Sequence, residues 1–315
     1  MHNTFISVIG LIHQRSDLDR LAEYLQGLHE VLVGRFSDYE IILVNNVPEW
    51  QIDDVVNTLP TALKKQIYLL RLSSRTNKNH AILAGLDRAN GDYTVILETL
   101  FANQPRIVLD LFEKSQEGYD VVYLQAEGRE SPLRSRWLYQ LFYFILKRYS
   151  QLKVDEKAHN SRIISRRALN SLLRLRENLR YMKAIYSIVG YRTAFIPTQK
   201  PLPDDDNFGE RFRTSLVAIT SYTTFLRASM LWIFIGSFLF LLLVIINALK
   251  VKFTETDLLG QAAVADSGWT FLVILIAIFF AVTTLNLYII SIYLSNIYTE
   301  IKQRPPYIIE SIKRF

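Results

Sequence analysis

The sequence predicts an α/β domain built on a mostly parallel sheet, followed by two membrane-spanning helices. Three observations lead there. Short β-rich runs alternate with helical patterns from residue 1 to about 200. Those runs are continuous apolar stretches, the mark of strands covered on both faces. Two long uncharged segments then occupy the C-terminal third. Half of the 315 residues are hydrophobic, which excludes a disordered chain. With no cysteine, a disulfide framework, a thiolate metal site and a cysteine nucleophile are excluded. The net charge of +6 points to an anionic partner or a membrane surface.

The elements follow in order. Residues 5–12 (FISVIGLI) form a buried strand. Leu18, Leu21, Leu25, Leu28 and Leu32 have the spacing of a helix over 17–33. Residues 39–44 and 66–72 are the second and third strands. A helix over 80–89 ends in Gly91-Asp92, which turns into a fourth strand at 93–97. Residues 105–117 are helical with Pro105 in the first turn, and 119–124 form a further strand. Parallel sheets bind ligands at the carboxyl ends of their strands, so the stretches after Ile12, Val44 and Leu97 are candidate binding loops. Neither G-x-G-x-x-G nor a P-loop is present. Asp53-Asp54 reads as a helix start, and Asp204-Asp205-Asp206 as a solvated loop.

Segment 129–167 holds ten Lys/Arg against three Asp/Glu. Within it, 132–150 interleaves aromatic residues with terminal basic ones, the pattern of an amphipathic helix lying on a membrane surface. That interleaving argues against a nucleic-acid partner. Between Arg227 and Lys250 lie 22 uncharged residues, about 33 Å of helix. A second apolar body runs from Trp269 to Leu294, and no signal peptide is read at the strand-like N-terminus. The connecting loop carries Glu255, Asp257 and Asp266, whereas the outer flanks are rich in Lys and Arg. The positive-inside rule then places the N-terminal domain and the C-terminus on the cytoplasmic side. The resulting division is a domain at 1–200 (with an interfacial segment at about 129–155), a juxtamembrane segment at 201–227, spans at 228–249 and 269–296, an extracytoplasmic loop at 250–268, and a tail at 297–315.

Several passages carry a family resemblance. They are Gly85-x5-Gly91-Asp92-Tyr93, the run 117–123 (EGYDVVY), the run 162–169 (RIISRRAL), Gly190-Tyr191-Arg192, and the tail from Tyr293 to Tyr307 with Arg304-Pro305. In order and spacing the chain resembles the membrane-bound polyprenyl-phosphate glycosyltransferases of family 2. Dolichyl-phosphate mannose synthase and the bacterial undecaprenyl-phosphate glucosyltransferases belong to that group. The resemblance implies a GT-A fold and sugar transfer from a nucleotide-sugar donor to a polyprenyl phosphate at the cytoplasmic membrane face. It also implies a divalent cation, Mg2+ or Mn2+, at the donor diphosphate. A homo-oligomer such as a tetramer, and a partner flippase or polytopic glycosyltransferase, are further implied.

The carboxylates that such chemistry uses are mostly replaced. Asn45-Asn46-Val47-Pro48 stands where the family has an acidic D-D-G-S or N-D-G-S. Glu98-Thr99-Leu100 stands for the D-A-D metal motif, leaving Glu98 as the one candidate ligand. His159-Asn160 replaces the acceptor-side Gly-Asp, and both His159 and His13 read as polar loop residues. Arg15, Arg75 and Arg211 stand where the family has Glu, Asn and Ser. Two explanations stay open: an enzyme with a metal-independent donor site, or a pseudo-glycosyltransferase kept as a membrane scaffold. For the enzyme, the candidate nucleotide-sugar residues are Asn45, Asn46, Arg15, Arg75, Lys78, Glu98 and Arg211. Asn160 and Arg162 are the candidates at the acceptor side, where an Asn orients a nucleophile but is no useful base.

Overall fold

The computed structural model describes residues 2–128, 133–150, 155–175, 190–202, 208–256, 260–261, 268–302 and 305–315. Its centre is an eight-stranded sheet. In chain order the strands are β1 (His2–Ile12), β2 (Phe36–Asn45), β3 (Ile67–Leu72), β4 (Tyr93–Ile96), β5 (Val121–Ala126), β6 (Ala158–Ser165), β7 (Thr193–Thr198) and β8 (Ile309–Arg314). Across the sheet they lie in the order β7-β5-β6-β4-β1-β2-β3-β8. β6 runs antiparallel to both its neighbours, and β8 runs antiparallel to β3. The other strands are parallel.

Period-2 alternation along β1 explains why the sheet is covered twice. Ile6, Val8 and Ile12 enter one core, while Ile9 and Leu11 enter the other. Helices α1 (Arg15–Asp19), α2 (Leu21–Leu32), α3 (Asp53–Asn57) and α4 (Thr61–Lys64) follow β1 and β2. The first core takes in Leu21, Leu25 and Leu28 of α2 and Leu111 of α6 (Ile107–Gln116). The second takes in Ile82 and Leu86 of α5 (Lys78–Arg88) and Leu169 and Leu172 of α8 (Arg166–Arg174). The predicted helix over 17–33 is broken at Arg20 into α1 and α2. Asp53 and Asp54 do open a helix, and Asp53 also pairs with Arg71 and Lys313.

Two glycines of the Gly85-x5-Gly91 passage have packing reasons. A Cβ on Gly85 would lie 2.6 Å from Ile9 Cγ2, so α5 sits on β1 only without a side chain there. At Gly91 a Cβ would lie 2.6 Å from the Ser7 backbone nitrogen. The turn is pinned by Gly91 N donating to Ser7 Oγ at 2.8 Å, while Ser7 Oγ donates to buried Glu40 at 2.6 Å.

Three strands depart from the sequence expectation. β6 and β7 were not read as strands, and β8 lies in what was read as a tail. β8 pairs with β3 from Tyr68↔Arg314 to Leu72↔Ile309, so the segment after the second apolar helix lies on the same side as the sheet. Helix α7 (Leu133–Tyr149) packs on α9 (Phe208–Tyr222) through Phe142, Tyr143 and Leu146 against Ala218. On α7, Leu141 and Phe144 are left exposed.

Helices α10 (Phe225–Thr254) and α11 (Gly268–Ile301) contain stretches, 228–251 and 274–298, long and apolar enough to cross a membrane. Those stretches are 0% and 6% buried, unlike the core helices of a soluble fold. Asn296 of α11 donates to Thr220 Oγ1 of α9 at 2.6 Å, which ties the apolar pair to α9 and the α7 packed on it. Asp204–Asp206 lie outside the described residues.

Candidate functional site

A pocket opens at the carboxyl ends of β1 and β4, where parallel sheets bind ligands. Leu11, His13, Gln14, Asp17, Arg20, Lys78, Glu98 and Leu100 are among its lining residues. Three segments meet there: the turn after β1, the turn after β4 and the start of α5. Asp17 joins the first two. Its carboxylate accepts the backbone N–H of His13 at 2.9 Å and of Gln14 at 2.8 Å, and the Thr99 hydroxyl. Buried Tyr24 donates to the Leu97 carbonyl at 2.9 Å and so fixes the residue before Glu98. Burial, then the Asp17 charge, pushes the Tyr24 phenol up, so it stays a neutral donor.

Glu98 is the chemical centre of the pocket. Lys78 Nζ lies 2.8 Å from its Oε1, and Asn160 Nδ2 donates to the same oxygen at 3.3 Å. Ser161 Oγ donates to Oε2 at 3.5 Å and receives the Glu98 backbone N–H at 3.0 Å. Nδ1 of fully buried His159 stands 3.5 Å from Oε2, close enough to act through its field without a formed hydrogen bond. Burial alone would raise the Glu98 carboxyl. The Lys78 ammonium and His159 outweigh burial and hold it well below the usual carboxylate range.

His159 is therefore no loop residue. It lies in β6 with Nε2 against the Lys200 carbonyl at 3.0 Å. The Lys200 ammonium turns back to the Leu100 carbonyl and to Asn103 Oδ1, the latter at 2.7 Å. Burial, then nearby Arg20, pushes the Lys200 amine down. Asp17, Arg20, His159, Ser161 and Lys200 were not among the sequence candidates. For His159 and Ser161 the polar run His159-Asn160-Ser161 was the visible signal.

The remaining candidates divide. Lys78, Glu98 and Asn160 are brought together. Asn45 is fully buried and closes its own loop: its Oδ1 accepts from Val47 N and its Nδ2 donates to the Trp50 carbonyl, both at 3.1 Å. Asn46 is also buried. It accepts from Thr76 N at 2.9 Å, donates to the Thr76 carbonyl at 2.8 Å and contacts His13 Nδ1 at 2.7 Å. Both amides hold their loops. Arg162 is buried with Nε on the Asn160 carbonyl at 3.0 Å and Nη2 on the His159 carbonyl, bracing β6. Arg15 points to solvent beside Asp19, at 3.5 Å on the same helix, and does not line the pocket. Arg75 is exposed in the loop after β3, also outside the lining. The Arg211 side chain lies outside the described residues.

The donor set does not fit a divalent cation. Among the described residues, no three His, Cys, Asp or Glu side chains are grouped to hold a metal ion. The two pocket acids, Asp17 and Glu98, are already engaged on both oxygens, and Leu100 offers hydrocarbon where a second carboxylate was expected.

The model of glycosyl transferase family 2 matches residues 7–173. The chain belongs to that family. An uncharacterized glycosyltransferase of Synechocystis is 27% identical over 96% of this chain and 94% of its own length. A prophage bactoprenol glucosyl transferase homolog of Escherichia coli is 25% identical over 88% and 90%. A bactoprenol glucosyl transferase derived from the SfII prophage of Shigella flexneri is 26% identical over 88% and 89%. Among solved structures, glucosyl-3-phosphoglycerate synthase of Mycobacterium tuberculosis in complex with Mn2+ and UDP has a TM-score of 0.47 at 14% identity, covering 69% of this chain and 79% of that one. The family 2 domain thus spans the sheet from β1 into α8, with the pocket inside it.

Proposed function

We propose that the chain is a membrane glycosyltransferase that moves a sugar from a nucleotide-sugar to a polyprenyl phosphate. The observation that carries this reading is the extent of the likeness. It runs over 88% of the chain to bactoprenol glucosyl transferases, well past the family 2 domain and into the two apolar helices.

The diphosphate of the donor faces Lys78 and Arg20 in the pocket. An oxygen of the acceptor phosphate attacks the anomeric carbon of the sugar. The bond from that carbon to the nucleotide's terminal phosphate oxygen breaks, and the nucleoside diphosphate leaves with the electron pair. The acceptor phosphate is already ionised near neutral pH, so the step needs no strong base. Asn160 suffices on that side because an amide orients but does not deprotonate. Leu141 and Phe144 of α7 enter the membrane interface beside the two spans, and the lipid phosphate reaches the pocket from there. The domain and the tail face the cytoplasm, on the charge asymmetry of the flanks.

A second reading, a non-catalytic scaffold on the same fold, is favoured by one observation: Asn45 and Asn46 are consumed by their own loops. The experiment that separates the two uses the full chain in detergent with radiolabelled UDP-glucose or GDP-mannose and undecaprenyl phosphate. Label passing into the lipid fraction supports the enzyme. No transfer from either donor, together with no nucleotide binding, refutes it.

A further inference from the structure

We propose that Lys78 occupies the place of a divalent cation, so that this chain binds its nucleoside diphosphate without metal. The inference rests on the glycosyltransferase reading and deepens it.

Three observations converge on Lys78. Its ammonium lies 2.8 Å from Oε1 of Glu98, the carboxylate that stands in place of the metal motif. A positive charge is therefore already in place, and a second cation beside it is repelled. The site also lacks ligands for a replacement. Magnesium and manganese take hard oxygen donors, and the pocket presents Leu100 where the second carboxylate would stand. Finally, an ammonium acts on phosphate as a point charge, so it attracts a diphosphate without needing the fixed ligand geometry that a metal demands.

The surroundings favour that arrangement. Lys78 is the first residue of the eleven-residue helix α5, whose N-terminal dipole adds to the positive field. Glu98 holds the ammonium in the pocket wall, with only 21% of the Lys78 side chain exposed. His159 and Ser161 in turn orient Glu98 from β6. Glu98 is thus a positioning residue for a resident cation, where a related motif would make it a ligand. Arg20 supplies a further cation in the same lining.

The test is calorimetric titration of the full chain in detergent with UDP, GDP and CDP, in excess EDTA and again with Mn2+. Electron paramagnetic resonance of Mn2+ in the nucleotide mixture gives a readout independent of activity. Equal affinity in EDTA and in Mn2+, with no protein-bound Mn2+ signal, is expected for the nucleotide that binds. Lys78→Met should weaken that nucleotide by about tenfold or more, and Lys78→Arg should restore most of it by keeping the charge. The melting temperatures of Lys78→Met and Lys78→Arg show whether each variant folds. Binding that appears only with Mn2+, or a Mn2+ signal in the complex, overturns metal independence and leaves the glycosyltransferase reading standing. Unchanged affinity in a folded Lys78→Met protein overturns the role of Lys78. Failure of all three nucleotides to bind under both conditions overturns this inference together with the function it rests on.

Discussion

Replacing Lys78 by Met tests the electrostatics of the pocket through stability alone. Glu98 and Lys78 expose only 10% and 21% of their side chains, so solvent screens their 2.8 Å pair weakly. Removing one partner of a buried pair costs about 3–5 kcal/mol, because the other charge is left uncompensated. His159 remains 3.5 Å away and offsets part of that, which selects the lower end, about 3 kcal/mol. For a domain of this size the loss corresponds to about 6–12 °C in melting temperature. The effect also has a pH signature. In the wild type the folded Glu98 carboxyl is held below its unfolded value. Its contribution is present above about pH 4.3 and is lost as pH falls through the folded value. In Lys78→Met, burial raises the same carboxyl, so the penalty is present at neutral pH and is relieved when Glu98 protonates. The gap between the two proteins should therefore narrow from neutral pH toward pH 4, and close only as pH falls through the wild-type folded value. Thermal unfolding in detergent, followed by near-ultraviolet circular dichroism at pH 7 and pH 4, measures both. Equal melting at pH 7, or a gap as large at pH 4 as at pH 7, would refute the reasoning.

Three further outcomes are expected. Asn46→Ala removes both bonds to the Thr76 backbone and should cost about 1–3 kcal/mol, with faster amide exchange at Thr76 as the local readout. Gly91→Ala places a methyl 2.6 Å from the Ser7 nitrogen, and should lower stability by about 1–3 kcal/mol in a chemical unfolding series. Ending the chain before Pro305 removes β8, so amide exchange should quicken in β3 between Tyr68 and Leu72, while β1 keeps its protection.

What the sequence revealed depends on how each segment spends its polar groups. β1, β2 and β4 were legible because they are buried on both faces and their apolar runs say so. β6 was hidden by its own function. His159, Asn160, Ser161 and Arg162 lie in a strand but serve Glu98 or the strand's carbonyls, so its first half carries no apolar pattern. β7 and β8 are edge strands with alternating exposure, short enough to pass for loops. Among the candidate residues, Glu98 and Lys78 were legible through the family motif and the adjoining helix start. That Asn45 and Asn46 close loops was not legible, because an amide that binds a ligand and one that closes a loop are the same letters. The pairing of Arg15 with Asp19 needed the register of the first turn of α1. His159 needed the sheet order, since only the β4–β6 pairing carries it behind Glu98.

The position of β8 also imposes an order on biosynthesis. The strand that finishes the sheet is encoded after both apolar helices, so it leaves the ribosome after them. Until then β3 is a bare edge, with unpaired backbone groups of the kind that recruit chaperones or neighbouring chains. The edge closes only when α10 and α11 have formed a hairpin that returns the tail to the side it started from. A nascent chain whose second apolar helix fails to turn back keeps β8 away from its partner. Such a chain carries an unfinished sheet with β3 as an open edge.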